Sequence, residues 1–114
     1  LTDEKWLAFV LEQVLSNAVK YTRRGSVTLR ADEAAHAVIV EDTGIGIAPE
    51  DLPRVFDHGY TGLNGRKDKR ATGLGLYLSR RILDQLGHTI SIASEPGRGT
   101  RVTIGLDSLR MRVE

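Results

Sequence analysis

Two hydrophobic periodicities alternate along the chain, and their order constrains the fold more than any other feature of the sequence. Apolar residues recur at helical spacing over residues 3–21 and again over residues 73–86. A pair of β-rich segments around a short polar turn follows each helical segment, at residues 26–32 with 37–42 and at residues 88–95 with 100–106. This order predicts an α+β fold, a two-layer sandwich with both helices on one face of the sheet.

The region between the two halves is predicted to contain a short helix at residues 49–57, begun by Pro49, and a long loop at residues 58–72. This loop contains glycines that could act as hinges together with cationic side chains, and that combination fits a lid that folds over phosphates. The cations of this loop are Arg66, Lys67, Lys69 and Arg70. A solvated loop without that role is the alternative.

Composition bounds the classes of protein that the chain can belong to. Its 114 residues fit one domain, residues 1–114, in which the tail 107–114 has no assigned role. The net charge of +1 and the presence of only one dense basic run, at residues 64–70, argue against a nucleic-acid partner. There is no cysteine, which excludes disulfides and thiolate chemistry, and no long apolar stretch that predicts membrane contact by this segment itself. The opening without Met, almost directly into a helix, suggests a fragment of a longer protein.

A polar stripe runs beside the apolar stripe of the first helix. Gln13, Asn17 and Lys20 fall at positions i, i+4 and i+7 and therefore on one side of the helix. Such a stripe can line a cleft between helix and sheet, whereas a polar margin in solvent is the alternative. Glu12 is rotated by roughly 140° from Asn17 and is not placed in the same site.

The stretch "VEDTGIGIAP" runs from a strand into Asp42 and then to Gly44 and Gly46. Glycines let backbone approach a flat ligand closely, and a carboxylate at a strand end only accepts hydrogen bonds. The amine of adenine suits that acceptor, whereas the carbonyl of guanine would face it with a second acceptor. A turn without a ligand is the alternative.

Glycines also precede the second helix, in "TGLGLYL" at residues 72–78. Free backbone N–H groups at a helix start favour a phosphate, although Gly73 and Gly75 could serve only to end the loop. No complete dinucleotide fingerprint or Walker loop is present. His36, His58 and His88 have no metal-ligand spacing and are interpreted as turn, loop and strand-start residues.

The order and spacing of these motifs resemble one family across nearly the whole chain, the catalytic and ATP-binding domain of bacterial sensor histidine kinases. The family belongs to a superfamily with the gyrase, Hsp90 and MutL ATPases and has the Bergerat-type fold, with a mixed sheet. The segments similar to its N, G1, F and G2 boxes and closing hairpin are "QVLSNAVKYT", "DTGIGI", "FDHGYTG", "TGLGL" and "SEPGRGTRVTI". Gly59 and Tyr60 depart from the usual F box and resemble the intramembrane-sensing kinases.

The resemblance implies a role for each matching residue. Asn17 would hold Mg²⁺ through its amide oxygen and Lys20 would contact phosphate, so these two are the candidate catalytic residues. Asp42 would take the adenine amine. The other implied contacts of ATP are Gln13, Tyr21, Gly44, Gly46, Gly73, Leu74, Gly75, Leu76 and Thr100, the last through water.

The implied function is transfer of the γ-phosphoryl group of ATP to a histidine on a separate dimerisation domain, with a cognate response regulator as the next partner. The domain would be cytoplasmic, in a protein of the bacterial cell membrane. An autonomous ATPase and an anti-sigma-like nucleotide-binding module are the alternatives. Gln13 disfavours rapid hydrolysis, because an amide cannot take a proton from attacking water.

Overall fold

A computed structural model describes residues 2–22, 24–57 and 75–106. These described residues form two α-helices, four β-strands and one short 3₁₀ helix. The helices are α1 (Thr2–Lys20) and α2 (Gly75–Leu86), the strands are β1 (Val27–Asp32), β2 (Ala37–Asp42), β3 (Thr89–Glu95) and β4 (Gly99–Gly105), and the 3₁₀ helix is Leu52–Arg54. The ends of α1 and of the strands agree with the sequence prediction to within one residue.

The four strands form one sheet in the order β1-β2-β4-β3. Each predicted hairpin is present, and the two are joined side by side by pairing of β2 with β4. All of these pairings are antiparallel, so the prediction of a mixed sheet is wrong for the described residues. The two strands of each hairpin run in opposite directions, and β2 and β4 also run in opposite directions, so no two neighbouring strands of the sheet are parallel.

The hydrophobic core lies between the helices and one face of the sheet, which confirms the predicted α+β two-layer arrangement. Side chains two residues apart on a strand share a face, so Val40 of β2 and its partner Val102 of β4, which pack with the helices, mark the face that the helices cover. The buried cluster comprises Val10, Val14 and Ala18 of α1, Leu83 of α2, Val40 of β2, and Val102 and Ile104 of β4.

The helix predicted at residues 49–57 is wrong in type and length. Only the 3₁₀ helix Leu52–Arg54 forms there, next to a turn in which Asp51 N and Leu52 N donate to Ala48 O at 2.9 and 3.2 Å. Pro53 explains the short length, because it has no N–H to donate to a carbonyl in the preceding turn. Helix α2 begins at Gly75, and Gly73, where its start was predicted, lies outside the described residues.

Among the described residues, no helix has the length and apolar character that crossing a bilayer requires.

Candidate functional site

The helix-facing side of the sheet changes from apolar to polar near the carboxyl end of β2. Val40 packs in the core, and Asp42 lies two residues further on, so its side chain faces the same helical layer. The strand register pairs Asp42 with Thr100, and Thr100 with Ser94. We call Asp42, Thr100 and Ser94 the polar row. The adjacent residues Val40, Val102 and Ile92, which pair in the same way, form the apolar row.

The carboxylate of Asp42 is oriented by its own turn. Gly44 N donates to Asp42 Oδ1 at 2.9 Å, which is a charge-assisted hydrogen bond of ordinary length. Asp42 is partly buried. A carboxylate has about four lone-pair sites, so one backbone donor leaves acceptor capacity for a donor on the helix-facing side.

The glycines after Asp42 make room for neighbouring backbone. A Cβ at Gly44 would meet the carbonyl oxygen of Tyr21, and a Cβ at Gly46, where φ is +75°, would meet that of Glu95. Ile45 is bonded to the same two segments, because its N–H donates to Tyr21 O at 3.2 Å and its carbonyl accepts from Gly97 N at 2.8 Å. The glycines therefore pack the loop against the end of α1 and the β3–β4 turn, and their predicted closeness to a base stays a prediction.

The polar stripe of α1 lies at the margin of the helical layer. Gln13, Asn17 and Lys20 are partly buried, whereas Glu12 is exposed. Gln13 reaches the start of α2, since a Cβ at Gly75 would lie 2.8 Å from Gln13 Oε1. The stripe thus runs along α1 from Gln13, beside the start of α2, to Lys20, next to the residues that contact Gly44.

The end of α1 brings the remaining residues of the stripe close to the loop after β2. Lys20 Nζ lies 5.5 Å from the centroid of the Tyr21 ring, within the range of a cation–π contact. Tyr21 N donates back to Asn17 O at 3.1 Å, and Tyr21 O accepts from Ile45. One short segment therefore connects the predicted phosphate contact Lys20 to the turn that orients Asp42.

Several predicted site residues lie outside the described residues, namely Gly73, Leu74 and the lid cations Arg66, Lys67, Lys69 and Arg70. Leu76 is described and packs against the core from the first turn of α2. Its predicted contact with ATP stays a prediction.

The histidines fit their predicted places where they are described. His36 lies in the β1–β2 turn with φ at +51°, and His88 is buried immediately before β3, whereas His58 lies outside the described residues. Residues 2–22, 24–57 and 75–106 contain no group of three or more His, Cys, Asp or Glu side chains arranged to hold a metal ion.

The sequence reasoning missed Ser94. Its hydroxyl accepts from Ile47 N at 2.7 Å, donates to Gly99 O at 2.9 Å and lies 2.8 Å from Thr100 Oγ1. The alternation of side chains along β3 could have identified it. Ile90, Ile92 and Ser94 lie on the same partly buried face of the strand, and Ser94 is the polar residue among them.

The chain matches a family model described as histidine kinase-, DNA gyrase B- and HSP90-like ATPase over residues 2–110. It is 48% identical over 105 residues to the sensor histidine kinase YxdK of Bacillus subtilis, a match that covers 89% of this chain and 32% of that protein. It is 42% identical over 106 residues to the sensor protein BceS of Halalkalibacterium halodurans, covering 91% of this chain and 32% of that protein.

Solved structures agree with this result. The crystal structure of full-length ShkA in complex with AMPPNP superposes with a TM-score of 0.70 at 28% identity, over 87% of this chain and 20% of that chain. The mycobacterial sensor histidine kinase MprB gives a TM-score of 0.68 at 25% identity, over 90% of this chain and 70% of that chain. The chain belongs to the family of histidine kinase-, gyrase B- and HSP90-like ATPases, and it spans about a third of the length of the curated relatives.

Proposed function

We propose that this chain binds ATP with Mg²⁺ and supplies the γ-phosphoryl group for phosphorylation of a histidine on a separate dimerisation and phosphoacceptor domain. The observation that carries the proposal is the placement of Asp42 opposite Thr100 on the helix-facing side of the sheet. The similarity to proteins named sensor histidine kinases supports a histidine as the acceptor of the phosphoryl group. The two expected alternatives, an autonomous ATPase and an anti-sigma-like module, have no observation in their favour.

Recognition of the base follows from the acceptors of the polar row. Asp42 presents a carboxylate whose orientation is set by Gly44 N. An adenine amine donates to that group, whereas the carbonyl of guanine would place two acceptors against each other. Leaving a buried polar group unpaired or opposed is costly, so the site selects adenine over guanine.

The polar stripe of α1 is proposed to bind the triphosphate. The ammonium of Lys20 neutralises phosphate charge, and Asn17 offers the amide oxygen that suits a hard cation. Mg²⁺ is typically bound by one or two protein ligands together with substrate phosphate oxygens, so the single amide oxygen of Asn17 would serve beside the phosphates. When bound, Mg²⁺ supplies charge neutralisation, and the protein contributes mainly positioning.

Gln13 favours transfer to a histidine over rapid hydrolysis. Its amide lies against the start of α2, next to Gly75, where the resemblance places the phosphates. An amide cannot act as a general base toward water, so a bound nucleotide is protected from this route of hydrolysis.

The proposal extends to the whole protein through the curated relatives, of which this chain covers about a third. We propose a longer kinase of the intramembrane-sensing type in the bacterial cell membrane, with this domain on the cytoplasmic side. The cognate response regulator then receives the phosphoryl group from the histidine.

A binding experiment tests the nucleotide site. Titration calorimetry with Mg-ATP and Mg-GTP should show binding of ATP and at least a hundredfold weaker binding of GTP, about the discrimination that opposed polar groups produce. Asp42→Ala should abolish ATP binding without unfolding the chain. Asp84→Ala, which changes an exposed carboxylate of α2, is the matched control and should bind ATP normally. Equal affinity for ATP and GTP would contradict the proposed base contact.

A transfer experiment tests the kinase proposal. The chain is mixed with γ-labelled ATP, Mg²⁺ and the dimerisation domain of a relative, and acid-labile phosphohistidine is measured. Label on the acceptor histidine that requires Asn17 and Lys20 is the expected result. Steady release of phosphate at an ATPase rate, with no label on the acceptor, would favour the autonomous ATPase instead.

A further inference from the structure

Ser94 joins three segments of the polar end of the sheet through one hydroxyl group. Ile47 N donates to it at 2.7 Å from the loop after β2, and Gly99 O lies 2.9 Å away across the β3–β4 turn. Thr100 Oγ1, on the neighbouring strand, is 2.8 Å away. All three distances are within the range of real hydrogen bonds.

The number of protons available decides the direction of each bond. A serine hydroxyl has one proton and two lone pairs. Ile47 N–H takes one lone pair, and a carbonyl such as Gly99 O can only accept, so the single proton of Ser94 is donated to Gly99 O. The contact with Thr100 is then a hydrogen bond only if Thr100 donates. The opposite direction would leave Ser94 and Gly99 with facing lone pairs at 2.9 Å.

We propose that Ser94 is a positioning residue for base specificity. It accepts the hydrogen bond that the Thr100 hydroxyl donates, and so leaves Thr100 able only to accept hydrogen bonds from the base side. This inference rests on the proposed function. Thr100 lies directly opposite Asp42 in the strand register, and Asp42 also only accepts. The two residues next to the base are then both acceptors, a combination that suits an amine and disfavours a carbonyl.

Loss of the Ser94 hydroxyl has a specific consequence. Thr100 no longer has a partner on β3 for its proton, and its hydroxyl is free to rotate and donate toward the base. A ligand with a carbonyl in place of the amine then gains a hydrogen bond that the unmodified protein withholds. Discrimination against that ligand should fall, whatever happens to overall affinity.

Inosine triphosphate is the probe, because it carries a carbonyl where ATP carries the amine. The ratio of the dissociation constants for Mg-ITP and Mg-ATP is measured by calorimetry. In Ser94→Ala this ratio should fall by about fivefold, the worth of one neutral hydrogen bond. A merely structural role of Ser94 would weaken both nucleotides alike and leave the ratio unchanged.

A double-variant cycle tests whether Ser94 acts through Thr100. Thr100→Val removes the hydroxyl and retains the shape of the side chain. The Ser94→Ala change should shift the ratio in the unmodified background and have no effect on it in the Thr100→Val background. Ser91→Ala is the matched control, because it changes an exposed serine of the same strand on the opposite face.

Each outcome separates the two proposals. If the unmodified chain does not bind Mg-ATP, the proposed function fails. If it binds and Ser94→Ala leaves the ratio unchanged, or shifts it equally in both backgrounds, the inference is overturned while the function stands. Should circular dichroism show Ser94→Ala to be unfolded, Ser94→Cys replaces it, since a thiol is only a weak donor and acceptor.

Discussion

The apolar row and the polar row are neighbours on the same three strands and face the same helices, yet different forces hold them. Val40 and Val102 of the apolar row are 1% and 8% exposed and pack against the buried cluster of α1 and α2. Residues of the polar row are only partly buried and are held by hydrogen bonds to Gly44 N, Ile47 N and Gly99 O.

The difference teaches how one small sheet combines stability with chemistry. Packing is non-directional and tolerates modest changes of shape, so the apolar row can stabilise the fold without fixing any atom for a ligand. Hydrogen bonds fix direction, but they require backbone within about 3 Å, and this requirement explains the crowded glycines beside the polar row.

The largest expected effect tests the backbone contacts beside the polar row. Gly46 and Gly97 both have positive φ, +75° and +81°, but a Cβ at Gly46 would meet Glu95 O, whereas a Cβ at Gly97 would meet nothing within 4 Å. Gly46→Ala should lower the free energy of unfolding by about 3 kcal/mol, and Gly97→Ala by only about 1 kcal/mol. Urea denaturation followed by circular dichroism measures both. Equal losses would mean that crowding by Glu95 contributes nothing.

The next effect tests the apolar row. Val40→Ala should lower the free energy of unfolding by about 2 kcal/mol, because it removes two buried methyl groups and leaves a cavity. The ratio of ITP to ATP dissociation constants should not change. Val19→Ala, at a position of α1 that is 64% exposed, is the control and should be nearly neutral. A changed ratio in Val40→Ala would show that the two rows are not independent.

A smaller effect of opposite sign is expected at Thr22, beside the polar row. Its hydroxyl oxygen is buried, has no hydrogen-bond partner among the described residues and lies close to Gly44. Thr22→Val retains the shape and removes the desolvated group, so the free energy of unfolding should rise by about 1 kcal/mol. Thr28→Val, at an exposed position of β1, is the matched control. A loss of stability at Thr22 would reveal a bound water that the hydroxyl holds.

The smallest effect is expected on the opposite face of the sheet. Hydrogen bonds from Arg30 and Arg101, at 2.9 and 3.1 Å, lower the pKa of the Glu41 carboxyl. Because the pKa is lower in the folded state, the ionised carboxyl stabilises the fold at pH values above the unfolded-state pKa. This contribution is lost as the pH falls through the folded-state pKa. Glu41→Gln should therefore be slightly less stable than the unmodified chain at neutral pH and equal to it in acid. A difference that grows in acid would reverse the assigned sign.

Local structure was largely predictable from the sequence, because helical spacing and alternation depend on neighbouring residues. The bounds of β2 were predicted as observed, whereas the segment around Pro53 was assigned too long a helix because its missing N–H was not weighed. The antiparallel pairing of β2 with β4 joins distant segments, and no local pattern specifies it.

The candidate site was predicted unevenly for the same reason. Asp42 and the stripe of Gln13, Asn17 and Lys20 are visible in local patterns. Ser94 begins the segment that resembles the closing hairpin but was assigned no role, because its importance depends on facing Thr100 across a hairpin while Ile47 approaches from another segment. Contacts among three segments can be recognised only when the pairing of all of them is known.

The position of β4 between β2 and β3 makes the polar row a product of the completed sheet. Asp42 belongs to the first hairpin, and Thr100 and Ser94 belong to the second, so neither hairpin alone contains the row. A chain still emerging from the ribosome therefore lacks the polar row, which we propose contacts the base, until β4 docks beside β2. Under the proposed function, nucleotide affinity would therefore report completed folding, because only molecules in which both hairpins are paired contain the whole row.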